Sequence, residues 1–317
     1  MNILVTGAAG FIGSHLSEHL ADLGHTVRGL DCLTDYYPRQ LKELNVHDLQ
    51  SSGVAILPLD LSEDDLSDAV KDIEVVYHLA AQPGISATTS YQTYVRNNLT
   101  ATYRLLEAVN ELPTLQGFVN ISSSSVYGSD ATGDEESEPK PSSYYGVTKL
   151  AAEQLVLAYA RDHGLPACSL RLFSVFGPRE RPEKLYPKLI HCMLEGTEFP
   201  LFEGSEHHVR SFTYVGDIVD GMVAVLHNLD RCRGEIFNIG TEAAITTGEG
   251  IRIVEEIMGQ RARISRVPKR AGDQLRTHAD IEKARRVLGY NPNTTTEEGL
   301  RNEIDWYRQR IFGKIDL

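Results

Sequence analysis

The stretch Thr6-Gly7-Ala8-Ala9-Gly10-Phe11-Ile12-Gly13 constrains this chain more than any other. It follows an apolar run, Ile3–Val5. It opens an amphipathic run, Phe11–Leu23, in which Ile12, Leu16, Leu20 and Leu23 recur at helical spacing. A buried strand that turns on glycines into a helix is the first unit of a parallel α/β sheet. Gly7 permits the tight turn, Gly10 lets backbone approach a pyrophosphate, and Gly13 lets helix and strand pack closely. The helix N-terminus then offers free N–H groups and a positive dipole end to phosphate.

The alternation continues. Thr26–Leu30, Val54–Leu57, Val75–Leu79, Gly117–Ile121 and Ala167–Leu172 read as strands, and Tyr94–Val109 and Tyr145–His163 as helices. Such an order predicts right-handed crossovers and a doubly wound parallel (Rossmann) sheet over residues 1–170. After Arg171, Pro178, Pro182, Pro187 and Pro200 break the chain into short pieces. Strands are expected at Arg210–Tyr214 and Glu235–Ile239, and helices at Asp217–Leu226 and Thr247–Met258. The expectation for 171–317 is a smaller C-terminal α/β substrate-binding domain, with a segment near 213–240 returning to the first.

The 317 residues carry 31 Lys and Arg against 44 Asp and Glu, a net charge of −13. That balance argues against nucleic acid and anionic membranes as partners. Cys32, Cys168, Cys192 and Cys232 lie far apart with no Cys-x-x-Cys, so neither a metal site nor a disulfide framework is expected. A strand-like run from residue 2 leaves no room for a signal peptide, and scattered thiols fit a cytoplasmic protein.

Asp31 ends the second strand. A carboxylate there accepts hydrogen bonds from an adenosine ribose and repels a 2′-phosphate, which favours NAD over NADP; a turn aspartate is the other reading. Asp60-Leu61 fits either a bracket for the adenine or a strand-end turn. Tyr145 and Lys149 stand four apart, on one helix face. A phenol with a pKa near 10 is a poor base at neutral pH. A nearby ammonium, together with the positive nicotinamide, is expected to lower it.

These motifs resemble the extended short-chain dehydrogenases/reductases, in their nucleotide-sugar epimerase and dehydratase group. The resemblance runs from Met1 nearly to the C-terminus. It is carried by Gly7/Gly10/Gly13, His78-Leu79-Ala80-Ala81, Asn98, Ile121–Gly128, Tyr145-x-x-x-Lys149, Arg171–Arg179 and Arg210–Val215. It implies a cofactor set of Gly7, Gly10, Phe11, Ile12, Gly13, Asp31, Asp60, Leu61, Leu79, Ala80, Ala81, Asn98, Tyr145 and Lys149 around NAD. It also implies Ser123, Tyr145 and Lys149 as the catalytic set, and a homodimer built on helices such as 94–109 and 145–163.

Within the group, Asp35-Tyr36-Tyr37 and Gly177-Pro178-Arg179-Glu180-Arg181-Pro182 most resemble UDP-glucuronate 4-epimerases. Dehydratases place Asp-Glu where this chain has Ser124-Ser125, and decarboxylases usually carry a Glu in this segment, so epimerisation is the expected reaction. The resemblance implies diphosphate contacts at Arg210 and Arg276, further cations at Arg179 and Arg181, and ribose contacts at Asp273. Ser124, Ser125 and Ser174 would form a hydroxyl-rich pocket for a sugar carboxylate. Some relatives place an Arg shortly after a Pro-Gly like Pro83-Gly84, but here Ser86-Ala87-Thr88 follows. UDP-glucose/UDP-galactose 4-epimerisation, UDP-glucuronate decarboxylation and a non-catalytic NAD sensor are the competing readings.

Overall fold

Asn2–Thr6 (β1), Thr26–Leu30 (β2), Ala55–Leu57 (β3), Val75–His78 (β4), Gly117–Ser123 (β5), Ala167–Leu172 (β6) and Ile236–Ile239 (β7) form one seven-stranded sheet. Its spatial order is β7-β6-β5-β4-β1-β2-β3, and every pair is parallel. The computed structural model describes residues 1–86, 88–269 and 274–315. β4, β5 and β6 are buried along their whole lengths, so their polar residues bond inside the fold, as Asn120 does to Ser169 Oγ at 2.9 Å and Arg171 to Glu153. The order reverses between β1 and β4, the place where open α/β sheets bind ligands at their carboxyl ends.

Two helices flank the first turns: Phe11–Asp22 (α1) and Arg39–Ser51 (α2). Tyr91–Tyr94, a π-helical stretch Val95–Thr100 and Ala101–Val109 then run on as one long helix (α3). Tyr144–Asp162 (α4) carries Tyr145 and Lys149. The returning segment is present: Val215–Leu226 (α6, after Leu185–Glu195, α5) packs on α1, and β7 extends the main sheet beside β6.

The region after β6 departs from expectation in two places. Arg210–Tyr214 is not one strand. Val209–Arg210 joins a small sheet with Ile245–Thr246, Arg276–Thr277 and Asp130–Ala131, while Thr213–Tyr214 pairs with Val175–Phe176. Ser211 makes the break, its N–H donating to Thr277 Oγ1 at 3.1 Å. Pro187, expected to interrupt the chain, sits in the first turn of α5. A backbone N–H there would have no helical partner, so proline is tolerated. Thr247–Met258 (α7) is closed by a capping box between Thr246 and Glu249, and Thr296–Arg310 (α8) packs against it and α5. Neither α2 nor α8 is signalled by the apolar spacing used above.

Candidate active site

The glycine turn is a cradle that a side chain would fill. Gly7 has φ +70°, and a Cβ on it would lie 2.9 Å from Ala80 N. A Cβ on Gly13 would lie 2.2 Å from Gly7 O. α1 starts at Gly10 with no side-chain cap and no acid in its first turn, so the positive end of its dipole faces the turn unscreened. Asp31 closes the cradle: its carboxylate accepts from Ala9 N at 3.1 Å and Leu33 N at 2.8 Å, which leaves lone pairs for a diol. Lys42 on α2 lies beside it, buried, with Nζ donating to Thr34 Oγ1 at 2.9 Å. Burial pulls the Lys42 ammonium down and Asp31 pulls it back up. Sequence reasoning missed Lys42, because a lone lysine on an unassigned helix looks like any solvated one.

Two expected cofactor residues are also held by hydrogen bonds within the chain. Asp60 accepts from Ser62 and from Arg96 Nη2 at 2.9 Å, and its carboxyl is held below the usual range by these donors despite partial burial. Its carboxylate therefore shapes the loop, and Leu61 beside it is buried. Asn98 is also a brace. Its amide accepts from Gln82 N at 2.6 Å and donates to Thr148 Oγ1 at 3.0 Å, tying the Leu79-Ala80-Ala81-Gln82 turn to α4. The π-helical stretch presents Asn98 inward at this point.

α4 rests directly on the serine turn that ends β5. Gly146 allows this, since a Cβ there would lie 2.5 Å from Ser125 O. Ser123 Oγ accepts from Ser125 N at 3.1 Å, and the Ser123 hydroxyl lies near enough to the Tyr145 phenol to favour its ionised form. Ser122, Ser123, Ser124 and Ser125 are all buried; Ser174 is partly exposed at the start of the next loop. Gln274 Nε2 fixes the turn from outside by donating to Ser124 O at 3.2 Å and Gly128 O at 3.0 Å.

The electrostatics differ from the sequence expectation. Burial pushes the Tyr145 phenol up; the Ser123 hydroxyl and the Arg181 guanidinium pull it back. Lys149 follows one turn along the same face of α4. Burial lowers Lys149 to about 8, against an upward pull from Glu153. Arg181 is a cation near the base, and its Nη1 is paired with Glu183 at 2.6 Å. It lies 5.4 Å from the Tyr36 ring centroid, and its Nη2 is 2.9 Å from where a Gly84 Cβ would be. A guanidinium from the Gly177 loop therefore lies against Gly84.

Arg179, expected beside it, does not reach the site. Its guanidinium holds Glu18 at 2.8 and 2.9 Å and Asp48 at 3.2 Å. Arg210 and Arg276 are brought to adjacent strands of the small sheet, with Val209 paired to Arg276. Asp273 lies outside the described residues.

A model of the NAD dependent epimerase/dehydratase family matches residues 3–240. The chain belongs to that family. Across 99% of its length it is 39% identical to an uncharacterized UDP-glucose epimerase, YtcB, of Bacillus subtilis, all of which is covered. It is 35% identical to UDP-glucuronate 4-epimerase 2 of Arabidopsis thaliana, over 97% of this chain and 76% of that one. Among solved structures it is similar to the UDP-glucuronic acid 4-epimerase of Bacillus cereus in complex with UDP-glucuronic acid and NAD. There the TM-score is 0.93 and the identity 39%, over 98% of this chain and 99% of that one. This epimerase-family chain thus carries the family's Tyr-x-x-x-Lys helix, with a serine turn and an arginine facing the tyrosine.

Proposed function

We propose that this chain is an NAD-dependent UDP-glucuronate 4-epimerase, an isomerase that interconverts UDP-glucuronate and UDP-galacturonate. The carrying observation is the Tyr145 phenol held between a turn of four buried serines and the Arg181 guanidinium, with no acid in that turn. A hydroxyl-rich wall and one cation suit a sugar carboxylate; an elimination would need an acid and a base there.

The residues suited to hold NAD are Gly7, Gly10, Phe11, Ile12, Gly13, Asp31, Leu61, Leu79, Ala80, Ala81, Tyr145 and Lys149, with Lys42 beside Asp31. NAD held there would supply reversible hydride acceptance for carbon 4. Tyr145 takes the proton of the carbon-4 hydroxyl and later gives it back, with Ser123 as the relay. Lys149 supplies positive charge on the same helix face. Arg210 and Arg276 hold the diphosphate while the sugar turns, so binding energy concentrates away from the reacting ring. The 4-keto uronate is a β-keto acid prone to losing carbon dioxide. Ser124, Ser125, Ser174 and Arg181 restrain its carboxylate.

The same reading keeps a division into an NAD-binding region, 1–170, and a mainly substrate-binding one, 171–317. It includes a homodimer, supported by exposed Tyr91 and Tyr103 on α3 and Tyr144 and Val147 on α4. It includes a cytoplasmic location, supported by four unpaired cysteines; no described helix is long and apolar enough to cross a membrane.

The test is proton NMR of purified protein with UDP-glucuronate and no added NAD. Growth of UDP-galacturonate signals is expected. Growth of a UDP-pentose overturns the epimerase reading, and turnover of UDP-glucose alone favours the neutral-hexose reading suggested by the Bacillus subtilis relative.

A further inference from the structure

Tyr145, Lys149 and Glu153 follow one another at intervals of four along α4, which puts them on one face of the helix. Glu153 is completely buried. Its two oxygens accept from Arg171 Nε at 3.0 Å and Nη2 at 2.7 Å. Arg171, on β6, is 2% exposed. It donates onward to the Tyr127 hydroxyl at 2.8 Å, which donates to Asn238 Oδ1 on β7 at 2.8 Å. A buried, fully hydrogen-bonded Arg–Glu pair stabilises a fold little more than an apolar pair of the same volume. Its position calls for another role.

Lys149 is buried one turn before Glu153, and burial acts against its charge. Glu153 is the acid that opposes this. We infer that Glu153, fixed by Arg171, keeps the Lys149 ammonium protonated beside Tyr145 at working pH. Glu153 is thus a positioning residue, and the inference rests on the catalytic reading of Tyr145 and Lys149.

The other charged or titratable groups around Lys149 do not replace it. From β4, His78 lies between Thr6 and Thr102, and burial together with Lys149 keeps it neutral, at about 3. From the serine turn, Tyr127 is bonded to Arg171 and held up at about 12. On α3, Tyr94 meets the Tyr145 ring, Arg96 is paired with Asp60 and Glu63, and Glu107 bonds Tyr159 near the far end of α4. Arg181 faces Tyr145.

The test compares wild-type holoenzyme with Glu153→Asp, Glu153→Gln and the neutral pair Glu153→Gln/Arg171→Met. Two readouts are used: the pH profile of kcat, and the titration of the Lys149 resonance in ¹³Cε-lysine spectra, assigned by its loss in Lys149→Met. In the neutral variants the lysine midpoint and the alkaline limb should both fall by about one pH unit or more, and Glu153→Asp should restore most of the shift. A kcat profile lowered equally at all pH, with an unmoved lysine midpoint, overturns the inference. The resonance is read without turnover, so failure of the catalytic reading remains distinguishable. Glu153→Gln alone leaves a buried guanidinium unpaired and can fail to fold, which is why the neutral pair decides. If the neutral pair also fails to fold, Glu153–Arg171 is a folding element and the inference falls.

Discussion

Arg179 and Arg181 stand two residues apart and reach different partners. Arg179, with φ +70°, pairs with Glu18 on α1 and Asp48 on α2, and Arg310 on α8 shares Asp48 at 2.9 Å. Arg181 reaches Tyr36, Gly84 and Tyr145. His15 adds a second pin, its ring Nε2 lying 2.8 Å from Pro178 O. The loop is thus anchored to α1 and α2 through Arg179 and His15, while Arg181, paired with Glu183 at 2.6 Å, lies against Gly84.

Arg179→Ala should therefore act on stability. It removes a bidentate, largely buried ion pair and leaves Glu18 and Asp48 facing each other's charge. A loss of about 2–4 kcal/mol is expected, read by denaturant unfolding. KM for the nucleotide sugar should change less than about threefold. A large rise in KM with unchanged stability would return Arg179 to the substrate site.

Arg181→Met should act on the sugar carboxylate. A charge-assisted hydrogen bond contributes about 1.5–3 kcal/mol, or about ten- to a hundredfold in kcat/KM. That loss is expected for UDP-glucuronate and should be much smaller for UDP-glucose, which lacks the carboxylate. Equal losses on both substrates would mean that Arg181 tunes Tyr145 alone.

Tyr145→Phe removes the proton acceptor and leaves the glycine cradle intact. Turnover should fall by more than about a hundredfold, as for loss of a general base, while NAD is retained on gel filtration. Ser125→Ala or Ser174→Ala should keep turnover measurable and raise the ratio of UDP-pentose to epimer. An unchanged ratio in both active variants removes these serines from control of decarboxylation.

The chemistry-bearing turns were legible in the sequence because each is local. Gly7–Gly13 needs only a strand before it and a helix after it, and Tyr145 and Lys149 need only one helix. What sequence spacing could not supply is how distant segments meet. Nothing local tells Arg179 from Arg181, because their destinies are set by α1 and α2 on one side and Gly84 on the other. The partners of Asp60 and Asn98, which are Arg96, Ser62, Gln82 and Thr148, likewise come from other segments. The burial of Lys149 was not legible for a related reason: burial depends on the whole fold, and here it outweighs the pull of Glu153 on the ammonium.

Between the two arginines lies Glu180, buried, with Oε2 making no hydrogen bond among the described residues. Burial pushes its carboxyl from 4.5 up to about 8, against Lys184 and Arg181, which pull it down. Glu303 on α8 is buried nearby and is pushed well up by burial and by Glu180. A carboxyl raised on folding makes the native state bind a proton that the unfolded chain has released. Its contribution is complete below about pH 4.5 and is lost as pH rises through about 8. Glu180→Gln stays neutral throughout. Its melting temperature should match wild type near about pH 5 and exceed it by a few degrees near about pH 8.5. Thermal unfolding at both pH values checks this. The same offset at both would mean that Glu180 is ionised in the native state at low pH or that its charge is fully offset by Lys184 and Arg181.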